Sequence, residues 1–175
     1  MESSAKYIMS EEEKYFFDLR GYLVVRHALT AAEVTACNAA IDHFGDRMWT
    51  RSVEGGGLAG GSSALAGESG RQELGGMLGW PAPHRDPFRR LLVHPVVVSR
   101  LNQMSGRGFR LDHGPLLIRA HKGTEGHRLH GAGEPHSPAI WYHQQNGEIF
   151  CRGVTTAWQL TDVGEGEGGF AIVPG

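Results

Sequence analysis

The hydrophobic period of this chain changes once, and that change limits the folds open to it. Up to about residue 105 the apolar residues recur at helical spacing; from Phe109 onward they fall in short runs that read as strands. Ser10-Glu11-Glu12-Glu13 gives a serine cap followed by acids in the first helical turn, with Tyr15, Phe16 and Leu19 behind it and Gly21 to end it. Tyr22 to Val25 reads as a short strand. Thr30-Ala31-Ala32-Glu33 fits a capping box, and Val34, Cys37, Ala40, Ile41 and Phe44 form the apolar stripe of the helix behind it. Pro87 to Leu101 is a third helix, broken by Pro95. The strands follow: Leu116 to Ile118, Ile140 to Gln144, Glu148 to Leu160 and Phe170 to Val173, with Asn146-Gly147 as a tight hairpin turn. Helices first and strands last predict an α+β fold with an antiparallel sheet.

Glycine supplies 26 of 175 residues, about twice the usual ~7%. Much of it lies in residues 54–76, a Gly/Ser run too poor in apolar side chains to offset its ordering entropy. The expectation is a long flexible loop inside one domain, 1–175, with a helical opening at 1–105 and a strand portion at 106–175.

Charge and cysteine usage narrow the class. Seventeen basic and nineteen acidic residues give a net charge of −2, and no Lys/Arg run offers a grip on nucleic acid. No apolar stretch reaches the ~18 residues of a membrane span. The N-terminal MESSAKYIMSEEEKYF is acidic where a secretory signal would be basic and then apolar. Cys37 and Cys151 are too few for a disulfide scaffold, and neither has a base nearby in sequence. These features predict a soluble, cytoplasmic protein without nucleophilic thiol chemistry.

Ten histidines are present, seven of them between His94 and His143. His113, His121, His127, His130, His136 and His143 crowd one region, with Glu125 and Glu134 interleaved. Imidazole with carboxylate is a ligand set for iron or zinc, and two His with one carboxylate on one face leave positions open on iron. Surface histidines in loops are the plain alternative. Arg119 and Lys122 could meet an acidic substrate or simply be solvated. Gly164 to Gly169, GEGEGG, is a turn rather than a phosphate loop, because no helix pattern follows and its glutamates would repel a phosphate.

Two segments carry a resemblance. RGYLVVRHALTAAEVTACNAAIDHF, residues 20–44, is similar to the opening of the phytanoyl-CoA dioxygenase family, and TTAWQLTDVGEGEGGFAIVPG, residues 155–175, resembles that family's middle. Between them RLHGAGEPHSPAIWYHQQNGEIFCRG resembles a branch carrying Leu-His-Gly-Gly. The resemblance implies helices packed outside an antiparallel double-stranded β-helix, or jelly roll. It also implies Fe(II), 2-oxoglutarate as cosubstrate, molecular oxygen, and a small-molecule substrate that is hydroxylated.

Matched residue by residue, the family's His-x-Asp/Glu iron pair falls best on His130. Ala132 then stands where the carboxylate would be, with Glu134 two positions further on. Trp141-Tyr142-His143-Gln144-Gln145 is the competing match, with Gln145 in place of the carboxylate. Trp158 matches a tryptophan lining the 2-oxoglutarate pocket, and Leu116 matches a contact in that pocket; a core aromatic and a core leucine are the plain alternatives. The family's distal His and Arg lie beyond Gly175, so the resemblance implies a fragment with an incomplete barrel, inactive by itself. Two other functions stay open: a halogenase of the same fold, in which chloride takes the site left by the carboxylate, and a non-catalytic jelly-roll module that binds a ligand.

Overall fold

The structure, a computed structural model, describes residues 7–131 and 138–175. Helix α1 (Glu11–Arg20) begins where the sequence puts it. The Ser10 hydroxyl accepts from the Glu13 N–H and the Glu13 carboxylate accepts from the Ser10 N–H, both at 3.0 Å. Gly21 closes the helix in the left-handed region (φ 74°), and its N–H donates to the Phe17 carbonyl. Helix α2 (Ala31–His43) has the matching box, with Thr30 and Glu33 as partners. Two further helices, α3 (Asp86–Leu92) and α4 (Pro95–Met104), flank the break at Pro95. His94, the residue before that proline, is extended.

The apolar stripe of α2 becomes the larger core. Cys37, Ala40, Ile41 and Phe44 pack with Leu74, Met77, Trp80 and Phe88. A smaller core joins Met9, Phe17 and Met104 to Ile149 and Cys151. The Glu13 carboxylate, 2.7 Å from the Arg100 guanidinium, ties α1 to α4 beside it.

Strands β1 (Trp49–Thr50), β2 (Gln72–Leu74) and β3 (Leu117–Arg119) form one antiparallel sheet in that order. Strands β4 (Tyr142–Gln145) and β5 (Glu148–Cys151) form a separate hairpin. Its turn has Asn146 at φ 53° and Gly147 at φ 79°, the positive pair a two-residue loop needs to match strand twist. The chain is thus α+β with small antiparallel sheets.

Several expected strands are shorter or absent. Tyr22 to Val25 pairs with no strand among the described residues. The long strand expected over Glu148 to Leu160 stops at Cys151, and Phe170 to Val173 forms no strand. A strand holds only when its N–H and C=O groups find a neighbouring strand, and alternation in sequence cannot supply one. Val163, Phe170, Ile172 and Val173 accordingly lie exposed.

Residues 54–76 depart furthest from expectation, since they are tied down rather than loose. The Glu68 N–H bonds Gly123 O, Gly126 N–H bonds Leu65 O and Arg128 N–H bonds Leu58 O, at 2.8–3.0 Å. A parallel bridge pairs Ser69 with Thr124. Glycine is required at Gly57, where φ is positive and a Cβ would run into the Glu125 carboxylate. The glycines that look like a flexible run allow two chain segments to touch.

Candidate functional site

The site is built on β2. Register sets Thr50 opposite Gln72, and the Arg51 N–H donates to the Arg71 carbonyl, so Arg51 and Arg71 face each other across the strands. Like charges directly opposite repel. Glu73, two residues from Arg71 and so on the same face, neutralises both. Its carboxylate accepts from Arg51 Nε at 2.8 Å, Arg51 Nη2 at 3.1 Å and Arg71 Nε at 2.7 Å. Its side chain is 1% exposed. The bonds from Arg51, and then those from Arg71, hold the Glu73 carboxyl below the usual carboxylate range despite its desolvation.

Beside β2 runs the segment from His121 to Gly131. Glu125, at 6% exposure, accepts from the Leu58 N–H (3.0 Å) and the Ala59 N–H (3.2 Å) of the glycine-rich segment. Its oxygens are therefore engaged by the backbone and not aimed at the histidines. His121 Nε2 donates to the Gln72 side-chain carbonyl at 3.1 Å. The His127 and His130 rings lie 4.1 Å apart. Lost hydration pushes the His127 pKa down, and the nearby cationic groups of His130, Arg71, Arg128 and Arg51 push it further.

His130 is held at one ring nitrogen. Its Nδ1 lies 3.0 Å from the Arg128 backbone carbonyl, which can only accept. Nδ1 is therefore the donor of this contact, and Nε2 is the nitrogen left open to another partner. A histidine fixed at one nitrogen by a carbonyl is the usual arrangement of a metal-ligating imidazole. No family model, curated protein or solved structure matches this chain. The site is therefore read from its own geometry.

The other candidates lie apart. His143 on β4 stacks at 4.6 Å on Phe150, its cross-strand partner, with Trp141 at 4.9 Å on another side. Trp158 is half-buried, edge-on to the His94 ring at 5.4 Å, and His94 reaches Glu33 at 3.6 Å. Leu116, just before β3, is 46% exposed and is no core leucine. Among the described residues no hydrogen bond or ring contact joins His130, Trp158 and Leu116. Ala132, Glu134 and His136 lie outside the described residues. Burial raises both thiols, that of Cys151 to about 11, so neither is a ready nucleophile.

The donor type at His130 fits iron, whereas the donor number is short: among the described residues no three His, Cys, Asp or Glu side chains come together to hold a metal. Arg51, Arg71 and Arg128 are the residues that sequence reasoning missed. The signal for Arg71 was Arg71-Gln72-Glu73, an alternation that puts opposite charges on one strand face.

Proposed function

We propose that the chain is the opening portion of an Fe(II)- and 2-oxoglutarate-dependent oxygenase of the phytanoyl-CoA dioxygenase type, built on a double-stranded β-helix and hydroxylating a small-molecule substrate. The observation that carries this reading is the resemblance of two separate segments, residues 20–44 and 155–175, which occur in the family's order. The antiparallel strands after residue 106 and the free Nε2 of His130 support it.

Iron, when bound, would supply oxygen activation at the expense of 2-oxoglutarate. His130 would offer Nε2 as one ligand, with its ring oriented by the Nδ1 contact to the Arg128 carbonyl. Trp158 and Leu116 are proposed to face the cosubstrate. The remaining ligands must come from residues outside the described ones or from further chain.

Anaerobic equilibrium dialysis against Fe(II), with and without 2-oxoglutarate, tests the reading. Saturable iron binding that is lost in His130→Ala and kept in His121→Ala is expected. Iron retained in His130→Ala but lost in His143→Ala would move the ligand to His143. No saturable iron in the wild-type chain would favour the second reading, a ligand-binding module of the same fold, which the incomplete donor set among the described residues also favours. The halogenase alternative rests on Ala132, outside the described residues.

A further inference from the structure

The hairpin of β4 and β5 is anchored at its base and free at its tip. The Tyr142 hydroxyl donates to the Asp18 carboxylate on α1, and Ile149 and Cys151 are buried in the smaller core. Gln144, Gln145, Asn146, Gly147 and Glu148 are all exposed. The two strands form a sheet of their own, and such a ribbon gains little stability from its ladder. The tip can therefore open while the base stays docked.

At that tip stand Asn146 and Gly147, at φ 53° and 79°. Of the asparagines in the chain, Asn38, Asn102 and Asn146, only the last precedes a glycine. Asn38 lies in α2 with its Nδ2 on the Leu160 carbonyl at 2.9 Å, and Asn102 lies in α4. Helical geometry commits the N–H that follows each of them to a carbonyl one turn back. Neither the Asn146 side chain nor the Gly147 N–H has a hydrogen-bond partner among the described residues. Gly147 also has no Cβ to shield its nitrogen.

We propose that Asn146-Gly147 is a self-modifying turn, in which Asn146 converts to isoaspartate without an enzyme. The Gly147 nitrogen gives up its proton and attacks Cγ of Asn146. An N–Cγ bond forms, the Cγ–Nδ2 bond breaks, and Nδ2 takes up a proton and leaves as ammonia. The succinimide ring so formed is opened by water, with no oxidant or reductant involved. Opening at the main-chain carbonyl gives isoaspartate, and opening at Cγ gives aspartate. Isoaspartate adds one carbon to the main chain of a loop whose length sets Gln145 against Glu148. It also places a new carboxylate close to that of Glu148. The modified tip loses its register first and, behind it, the stack of His143 on Phe150. None of this depends on iron or on the oxygenase reading.

The test keeps folded protein in warm, mildly alkaline buffer and follows ammonia release, peptide mapping and methyl transfer by an isoaspartyl methyltransferase. Methyl-accepting isoaspartate should map to position 146, in excess over aspartate, with Asn38 and Asn102 intact. Conversion should slow in mildly acidic buffer, where the Gly147 amide keeps its proton. Asn146→Gly, which suits a positive φ and lacks the amide, should keep the fold and accept no methyl group there. Hydrogen exchange over 142–151 should quicken by about tenfold or more in converted protein and stay unchanged in α2. An Asn146 that survives in folded protein yet converts in urea-unfolded protein overturns the proposal, as does conversion to aspartate alone. Unchanged exchange over 142–151 in converted protein overturns the claimed loss of register.

Discussion

Replacing Glu73 by alanine removes the one carboxylate that separates two facing arginines. Three hydrogen bonds to charged groups are lost, at 2.7, 2.8 and 3.1 Å. Each such bond contributes ~1.5–3 kcal/mol when its partners are buried. The two from Arg51 must be discounted, because that side chain is 38% exposed and regains water. Arg71, at 16%, does so far less and would be left as a nearly buried cation without a partner. The sum comes to about 3 kcal/mol, at the low end of the ~3–5 found on breaking a buried pair. With an m value of ~2 kcal/mol/M the urea midpoint falls by roughly 1.5 M. Tryptophan fluorescence reads it, since Trp80 is in the core that contains Leu74. The same group predicts a pH dependence. Folded Glu73 lies below its ordinary 4.5, so just below that value the unfolded chain binds the extra proton. Stability should be complete above 4.5 and fall as pH drops through the folded value, and Glu73→Ala should flatten that fall. A midpoint shift below ~0.5 M, or an unchanged pH profile, would refute the reasoning.

Other predictions concern single contacts. Glu125→Gln leaves one acceptor for two amides, so hydrogen exchange at Leu58 and Ala59 should speed by about tenfold or more while the urea midpoint moves little. Unchanged exchange would mean that Glu125 does not hold the glycine-rich segment. Thr30→Ala should cost about 1 kcal/mol in urea unfolding by removing the cap of α2, with an effect below a few tenths counting against the box. Cys151, raised to about 11, should resist iodoacetamide at pH 8 in the folded chain and react after unfolding; rapid native alkylation would contradict its burial.

What was legible in the sequence was local. Ser10 with Glu13, and Thr30 with Glu33, announce helix starts because a cap is settled within four residues. Asn146-Gly147 announces a hairpin for the same reason. Strands after Cys151 were misread, because Trp158 to Val173 carries strand-like residues yet finds no ladder among the described residues. Residues 54–76 were misread in the opposite sense. Their order depends on Glu125, nearly seventy positions away from Leu58, and no local rule foresees that pairing. The carboxylate interleaved with the crowded histidines, Glu125, turns out to hold the Leu58 and Ala59 amides. The two arginines that meet at Glu73 became visible only when β1 and β2 were set side by side.

His130 is the pivot of this account, and its imidazole can be read directly. Nitrogen-15 spectra of the ring should show the proton on Nδ1, and anaerobic addition of Fe(II) or Co(II) should broaden or shift Nε2 of His130 before any other ring, in a saturable manner. An Nε2-protonated His130, or a metal response that begins at His143 and leaves His130 sharp, would contradict it.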